Sequence, residues 1–336
     1  MSNVLLTGGL GYIGSHTASI LAKNNIKFLI LDNLSNSKIS VVERLGKIVK
    51  QKIEFIKCDI RDTNNLVAII QKNNISSVMH FAALKSVEDS IFSPTEYYET
   101  NISGTISILN AMKIANVRNL VFSSSATVYG QPKYLPIDEL HRIESMNPYG
   151  KTKIIVEEIF SDLVKHDRNW SINSLRYFNP VGAHPSYLIG DDPISVKSKN
   201  LMPNIIDVVK GITKEIKIFG KDYDTKDGTC IRDYIHIMDL ANAHYKSLQF
   251  LEKSKGLNIF NIGTGNGYSV LELIKTFEDV TQLKVPKIFA KRRDGDVHSC
   301  YADPTKARKI LGWNCEYDLR QMCLSSFEFS RSNICI

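Results

Sequence analysis

The sequence predicts an α/β protein: a doubly wound, mostly parallel sheet followed by a smaller C-terminal α/β lobe. Three observations carry this. Short apolar runs alternate with segments of helical periodicity from residue 3 to about 177, a glycine-rich turn separates the first run from the first helix, and the alternation gives way after Asn179-Pro180 to shorter elements and long polar loops.

In chain order, residues 3–7 form an apolar run ending in glycines, and 12–24 follow with helical spacing through Ile13, Ala18, Ile20 and Leu21. The pattern repeats as a strand at 27–32, a polar helix near 38–50, a strand at 53–57, a helix near 63–73 and a strand at 77–81. A long helix near 95–115, a strand at 119–123, a helix at 148–166 and a strand at 172–176 complete it. Strands alternating with helices imply right-handed crossovers and a parallel sheet. The expected division is 1–180 and 181–336, with some later elements returning to the first part. Ligands of such sheets sit beyond the carboxyl ends of the strands, so the segments after residues 7, 32, 81, 123 and 176 should converge on one cleft.

The chain has 336 residues, 43% hydrophobic and 23% charged, which excludes disorder and fibrous classes and allows a sizeable core. No apolar run reaches the ~18 residues of a membrane span, and no basic segment precedes an apolar core at the start, so a cytoplasmic protein is expected. The cysteines at 58, 230, 300, 315, 323 and 335 form no CxxC pair, and neither they nor the eight histidines show zinc spacing. Free thiols and no metal are expected. The net charge of +7 is not gathered into basic blocks, so solvated lysines or an anionic small substrate explain it better than nucleic acid.

Gly8-Gly9-Leu10-Gly11-Tyr12-Ile13-Gly14 lies between the first strand and the first helix. Glycines there permit a tight turn and bring backbone N–H groups to a pyrophosphate at the helix N-terminus. A glycine triplet alone also describes an ordinary turn; its strand–turn–helix context favours the dinucleotide reading. Asp32, followed by Asn33, closes the next strand, where a carboxylate accepts from an adenosine ribose and repels a 2′-phosphate. NAD is therefore expected rather than NADP. Read singly, Asp32 is equally an exposed turn residue.

Tyr149 and Lys153 are four apart, behind an Asn147-Pro148 helix start, and so share one face of the first turns. A nearby ammonium, the helix N-terminus and a cationic nicotinamide ring would each favour the phenolate, making Tyr149 a base. The run Ser123-Ser124-Ser125-Ala126-Thr127 ends the preceding strand and supplies hydroxyls beside it.

Across nearly the whole chain these residues resemble the UDP-hexose 4-epimerases of the extended short-chain dehydrogenase/reductase family. The resemblance runs through residues 7–16, 31–37, 80–85, 122–130, 148–153, 175–185, 200–203 and 227–236. Dehydratases of that family carry acids where this chain keeps Ser124-Ser125-Ala126-Thr127, so dehydration is disfavoured. The resemblance implies a Rossmann-type NAD-binding part and a UDP-sugar lobe. It also implies a catalytic set of Ser125, Tyr149 and Lys153. Around NAD it places Gly8, Gly11, Tyr12, Ile13, Gly14, Asp32, Asn33, Asp59, Ile60, Phe81, Ala82, Lys85, Tyr177 and Phe178. Around the substrate nucleotide it places Asn179, Asn200, Leu201, Phe219, Arg232, Arg293 and Asp296, the arginines presenting planar forks to the diphosphate. Thr100 departs from the Asn that many relatives place near the cofactor.

The implied reaction inverts the hexose C4 through a 4-keto sugar that stays tethered by UDP while it turns over. A position shortly after Arg293-Asp294-Gly295-Asp296 limits room at the sugar C2 substituent in this family, and here it holds Cys300. A thiol in place of a tyrosine ring leaves space for an acetamido group, so UDP-GlcNAc and UDP-GalNAc are expected substrates beside UDP-Glc and UDP-Gal. Cys300 is alternatively a small buried residue, and a one-position shift in register would put Tyr301 at the gate. A restricted epimerase and a non-catalytic NAD-binding regulator are the rival readings. The apolar faces carrying Ile102, Ile106, Leu109 and Met112, and Ile155, Ile159 and Leu163, either pack on the sheet or pair across a two-fold axis as in relatives. A homodimer is expected.

Overall fold

The computed structural model describes residues 3–192, 200–293 and 295–332; Cys335 and Asp294 lie outside the described residues. The first part contains strands β1 (Asn3–Thr7), β2 (Lys27–Asp32), β3 (Phe55–Lys57), β4 (Ile75–His80), β5 (Asn119–Ser125) and β6 (Ser171–Tyr177). Between them run helices α1 (Tyr12–Lys23), α2 (Ser40–Val49), α3 (Thr63–Lys72), α4 (Val87–Phe92), α5 (Pro94–Tyr98), α6 (Gly104–Ile114) and α7 (Pro148–His166). The rest supplies β7 (Asn179–Val181), α8 (Leu201–Val209), β8 (Ile216–Phe219), β9 (Ile231–Arg232), β10 (Tyr234–His236), α9 (Ile237–Leu251) and β11 (Gly256–Ile262). It ends with β12 (Tyr268–Ser269), α10 (Val270–Thr281), β13 (Lys287–Ala290), β14 (Ser299–Cys300), α11 (Thr305–Leu311) and α12 (Leu319–Ser332).

Seven strands pair in parallel in the order β11-β6-β5-β4-β1-β2-β3. Their near-continuous apolar sequences follow from burial on both faces. Val4, Leu6, Ile30 and Met79 enter one core with Leu21 of α1 and Leu240 of α9, whereas Leu5, Leu29, Leu31 and Val78 enter another with Ile108 of α6 and Phe160 of α7. The chain winds outward from β1 in both directions, so the crevice lies between the carboxyl ends of β1 and β4.

The helix expected over 95–115 is interrupted. A π-helical turn, Glu99–Ser103, separates α5 from α6, and α4 precedes them behind a Ser86 cap that accepts from Asp89 N. Gly104 restarts the α-helix where a Cβ would stand 2.5 Å from Ile60 Cδ1, which explains the glycine. Leu109 and Met112 are buried in this chain's own core, while Ile102, Ile159 and Leu163 pack against it. Ile106 is 40% exposed.

Residues 181–336 do not stay together as one unit. Helix α9 packs on α1 and β11 adds to β6, so both return to the main sheet. The smaller lobe is built on Met202, Ile205, Ile216, Ile218, Leu273, Phe277 and Met322. Among the described residues no helix is long and apolar enough to cross a membrane, and no cluster of His, Cys, Asp and Glu is placed to hold a metal.

Candidate active site

The glycine turn leaves β1 with Gly8 at φ +69°, where a Cβ would stand 2.6 Å from Ala82 N; a Cβ on Gly14 would stand 2.6 Å from Gly8 O. Larger residues would push the turn away from α1 and from the loop after β4. Gly11 caps α1 without a side-chain bond, so the first N–H groups of the helix face the cleft. Asp32 fixes the neighbouring loop: its carboxylate accepts from Leu10 N at 3.1 Å, Leu34 N at 2.9 Å and Ser37 Oγ at 2.8 Å.

One cavity is lined by Gly8, Gly11, Tyr12, Ile13, Gly14, Asp32, Asn33, Ile60, Phe81, Ala82, Lys85, Tyr149, Lys153 and Tyr177, and Thr100 also reaches it. Two of the residues expected around NAD do not. Asp59 is held by Arg61 and by Asn33 Nδ2 at 3.0 Å, and the Arg61 guanidinium keeps its carboxyl well below the usual range. Phe178 faces the adjoining cavity instead, because it lies between β6 and β7 where the chain has passed into the smaller lobe.

That second cavity is lined by Ser125, Tyr149, Phe178, Asn179, Asn200, Leu201, Phe219, Arg232, Arg293 and Asp296. Arg232 Nη2 lies 2.9 Å from Asp296 Oδ1, and Arg293 Nε 4.0 Å from Asp296 Oδ2. The Arg293 guanidinium carbon stands 4.0 Å over the Phe219 ring. One carboxylate against two guanidiniums leaves a net positive wall suited to a diphosphate. Tyr12, Ile13, Lys85, Tyr149 and Tyr177 border both cavities, which therefore meet at the Tyr149 side chain.

Cys300 is not among the residues bordering this space. It pairs with Arg232 across β14 and β9 and packs against the small core of Val128, Tyr129, Ile137, Phe178 and Ala302, of which Phe178 lines the cavity. Tyr301 does not border it either; its ring lies by Gly267, where a Cβ would stand 3.1 Å from its Cδ1.

Asn147 begins α7 by accepting from Gly150 N at 2.9 Å, with Pro148 in the first turn. Lys153 Nζ donates to Ser123 O at 2.7 Å and lies 4.7 Å from the Phe122 ring centroid and 5.8 Å from that of Tyr149. Ser125 Oγ accepts from Thr127 Oγ1 at 3.0 Å. Within the protein alone, burial rather than charge dominates the Tyr149 phenol. Burial pushes Tyr149 far up, Tyr177 adds to this, and only the Ser125 hydrogen bond opposes it. Burial likewise pushes Lys153 down to about 7. A dry site penalises both charged forms before any neighbour acts.

Three contributions escape the sequence. Asn101, in the π-turn, accepts from Leu84 N at 2.8 Å and donates to Leu84 O at 3.0 Å and Thr152 Oγ1 at 3.1 Å, joining the β4 loop to α7. Asp191 and Asp192 cross the first cavity and pair with Lys85 and Lys38. Phe329 of α12 borders both cavities from near the end of the chain. None sits in a motif whose spacing betrays it.

The GDP-mannose 4,6 dehydratase family matches residues 5–325. UDP-glucose 4-epimerase of Bacillus subtilis is 45% identical over 331 residues, covering 98% of this chain and 97% of its own. A crystal structure of UDP-glucose 4-epimerase from Stenotrophomonas maltophila, with bound NAD and formylated UDP-arabinopyranose, superposes with a TM-score of 0.97 at 46% identity, covering 100% of this chain and 99% of that one. The UDP-Glc/GlcNAc 4-epimerase of Campylobacter jejuni superposes at 0.86 with 33% identity, covering 99% of this chain and 100% of that one. With the glycine turn, Tyr149, Lys153 and the paired arginines around one cleft, these likenesses place the chain in the extended short-chain dehydrogenase/reductase family, among the UDP-glucose 4-epimerases.

Proposed function

We propose that the chain is an NAD-dependent 4-epimerase of UDP-hexoses, acting on UDP-Glc and UDP-Gal and also on UDP-GlcNAc and UDP-GalNAc. The observation that carries the reading is the meeting of a dinucleotide-shaped cleft and an arginine-walled cavity at Tyr149. The residues present fit NAD: the close-packed glycine turn and the uncapped start of α1 suit its pyrophosphate, and Asp32 at the end of β2 suits its adenosine ribose. When bound, NAD supplies a reversible hydride acceptor at the sugar C4.

The chain's own residues divide the remaining work. Arg232 and Arg293 hold the diphosphate, Asn179 and Phe219 border the uridine side, and the hexose end is left free enough to turn over. Tyr149 exchanges the C4 hydroxyl proton, with Ser125 beside it in the cavity wall and Lys153 one helical turn away. Burial of the site excludes water from the keto sugar.

Acceptance of acetylated sugars rests on Cys300. It packs against the core that includes Phe178, so a small side chain there leaves that wall room to yield to an acetamido group. The Campylobacter jejuni relative is described as acting on both sugar classes. Side-by-side assays on UDP-Glc and UDP-GlcNAc test this. Both should turn over, and Cys300→Tyr should depress the acetylated activity ~10-fold or more while sparing UDP-Glc. Turnover of UDP-Glc alone by the parent protein would refute the broader specificity.

A further inference from the structure

Helix α7 addresses the end of β5 three times. Lys153 Nζ donates to Ser123 O at 2.7 Å, Ser124 Oγ donates to Glu157 Oε1 at 2.6 Å, and Tyr149 and Ser125 border the same cavity. Positions 149, 153 and 157 are four apart and form one stripe on the helix face turned to the sheet. The reaction proposed above uses the first two and leaves Glu157 unaccounted for.

Glu157 is 5% exposed and every bond it makes is internal. Oε1 also accepts from Ser174 Oγ at 2.7 Å, and Arg176 Nε reaches both oxygens at 3.1 Å while its Nη2 binds Oε2. Arg176, 1% exposed, donates through Nη1 to Tyr129 OH at 3.1 Å, and that hydroxyl donates to Asn261 Oδ1 at 2.6 Å. The network thus ties α7 to β5, β6 and β11 directly beneath the reacting groups. A buried ion pair is a poor stabiliser compared with apolar residues of equal volume, so packing does not explain it.

We propose that Glu157 is a positioning residue for the epimerisation. It holds α7 in register on β5, so that Tyr149 and Lys153 meet Ser125 and Ser123, and its negative charge keeps Lys153 an ammonium in the dry site. The proposal rests on the reading of Tyr149 and Lys153 as catalytic.

The surroundings of Lys153 support it. From β4 it faces His80, kept neutral by burial between the Thr7 and Thr105 hydroxyls, and from β5 the Phe122 ring. Tyr177 of β6 and Tyr97 of α5 are uncharged phenols that face the neighbouring Tyr149, and His244 of α9, against Phe81 and Tyr177, is neutral by burial. Arg176 stands behind Glu157. Glu157 is the group whose charge opposes the downward pull of burial on Lys153.

Removing that charge lowers the Lys153 pKa, so the ammonium is lost at lower pH and the basic limb of the kcat profile moves down. In Glu157→Gln the limb should fall by about one pH unit. Because that variant strands the Arg176 charge, Glu157→Gln/Arg176→Met provides a neutral pair that folds with co-purified nicotinamide, and its limb should also fall, by less. Glu157→Asp keeps the charge but not the reach, and should lose rate with the limb unmoved. A limb coincident with that of the parent in both Gln variants, with only a uniform loss of rate, would overturn the proposal. Tyr149→Phe is the control: if it retains turnover, the catalytic reading itself fails, whatever Glu157 does.

Discussion

At the scale of single residues, Lys153 shows how much the site costs the fold. Its ammonium is buried, donates to one carbonyl and is pushed down to about 7, whereas in the unfolded chain it stays near 10.5. Between those values the unfolded chain binds a proton that the folded chain lacks, so stability rises with pH from about 7 to about 10; below 7 the penalty is fully present. Lys153→Met should therefore unfold at higher urea concentration than the parent at pH 7, by ~1–3 kcal/mol, with the advantage shrinking toward pH 10. An equal or lower midpoint at pH 7 would show that the bond to Ser123 O outweighs the buried charge. Tyr149 and Lys153 were legible because the chemistry sets their spacing within one helix turn. Asn101 and Glu157 were not: Asn101 meets Thr152 across 51 positions and Glu157 meets Ser124 across 33, distances that local patterns do not encode.

At the scale of elements, α7 is the part whose local sequence and function coincide. The Asn147 cap lies two residues before Tyr149 and Pro148 starts the helix one residue before it, so the cap also sets the height of the phenol in the cleft. Asn147→Ala should cost ~1 kcal/mol of stability, read from urea unfolding, and lower kcat several-fold, while Asn147→Asp retains both. Loss of stability with unchanged kcat would separate the cap from the site. The helix before it is less legible in the sequence. Apolar spacing over 95–115 is continuous enough to suggest one helix, but a π-turn inserts a residue without breaking the apolar face, and in doing so directs Asn101 inward. The six-residue α4 is too short to show a period at all.

At the scale of the whole molecule, the alternating first part was legible because each parallel strand is an apolar run and each crossover a periodic helix. The return of β11 to the sheet was less so, since its sequence Gly256–Ile262 carries Asn258 and Asn261, which bond to Asn173 and to Tyr129 inside the fold rather than marking a surface. Closing two lobes around a cleft also buries polar side chains, and histidine records it. Burial pushes His16, His80 and His236 down to about 3, and His184 and His244 to about 4. Between these values and about 6.5 the unfolded chain binds more protons, so stability falls as pH drops through that window, each group contributing up to ~1.4 kcal/mol per pH unit. Asp239, raised to about 6 by burial, acts the other way: from 6 down to 3.8 the folded chain holds the extra proton. Burial raises Glu139 and Asp233 as well, and the five histidines outweigh these three carboxylates, so the protein should lose stability on acidification. His16 is the clearest contributor, fully buried on α1, its Nε2 without a partner among the described residues, its ring 6.4 Å from that of His184. Calorimetry from pH 6.5 to 4.5 should show His16→Leu taking up about one proton fewer on unfolding than the parent. An unchanged proton uptake would mean that the His16 site opens to water before the chain unfolds.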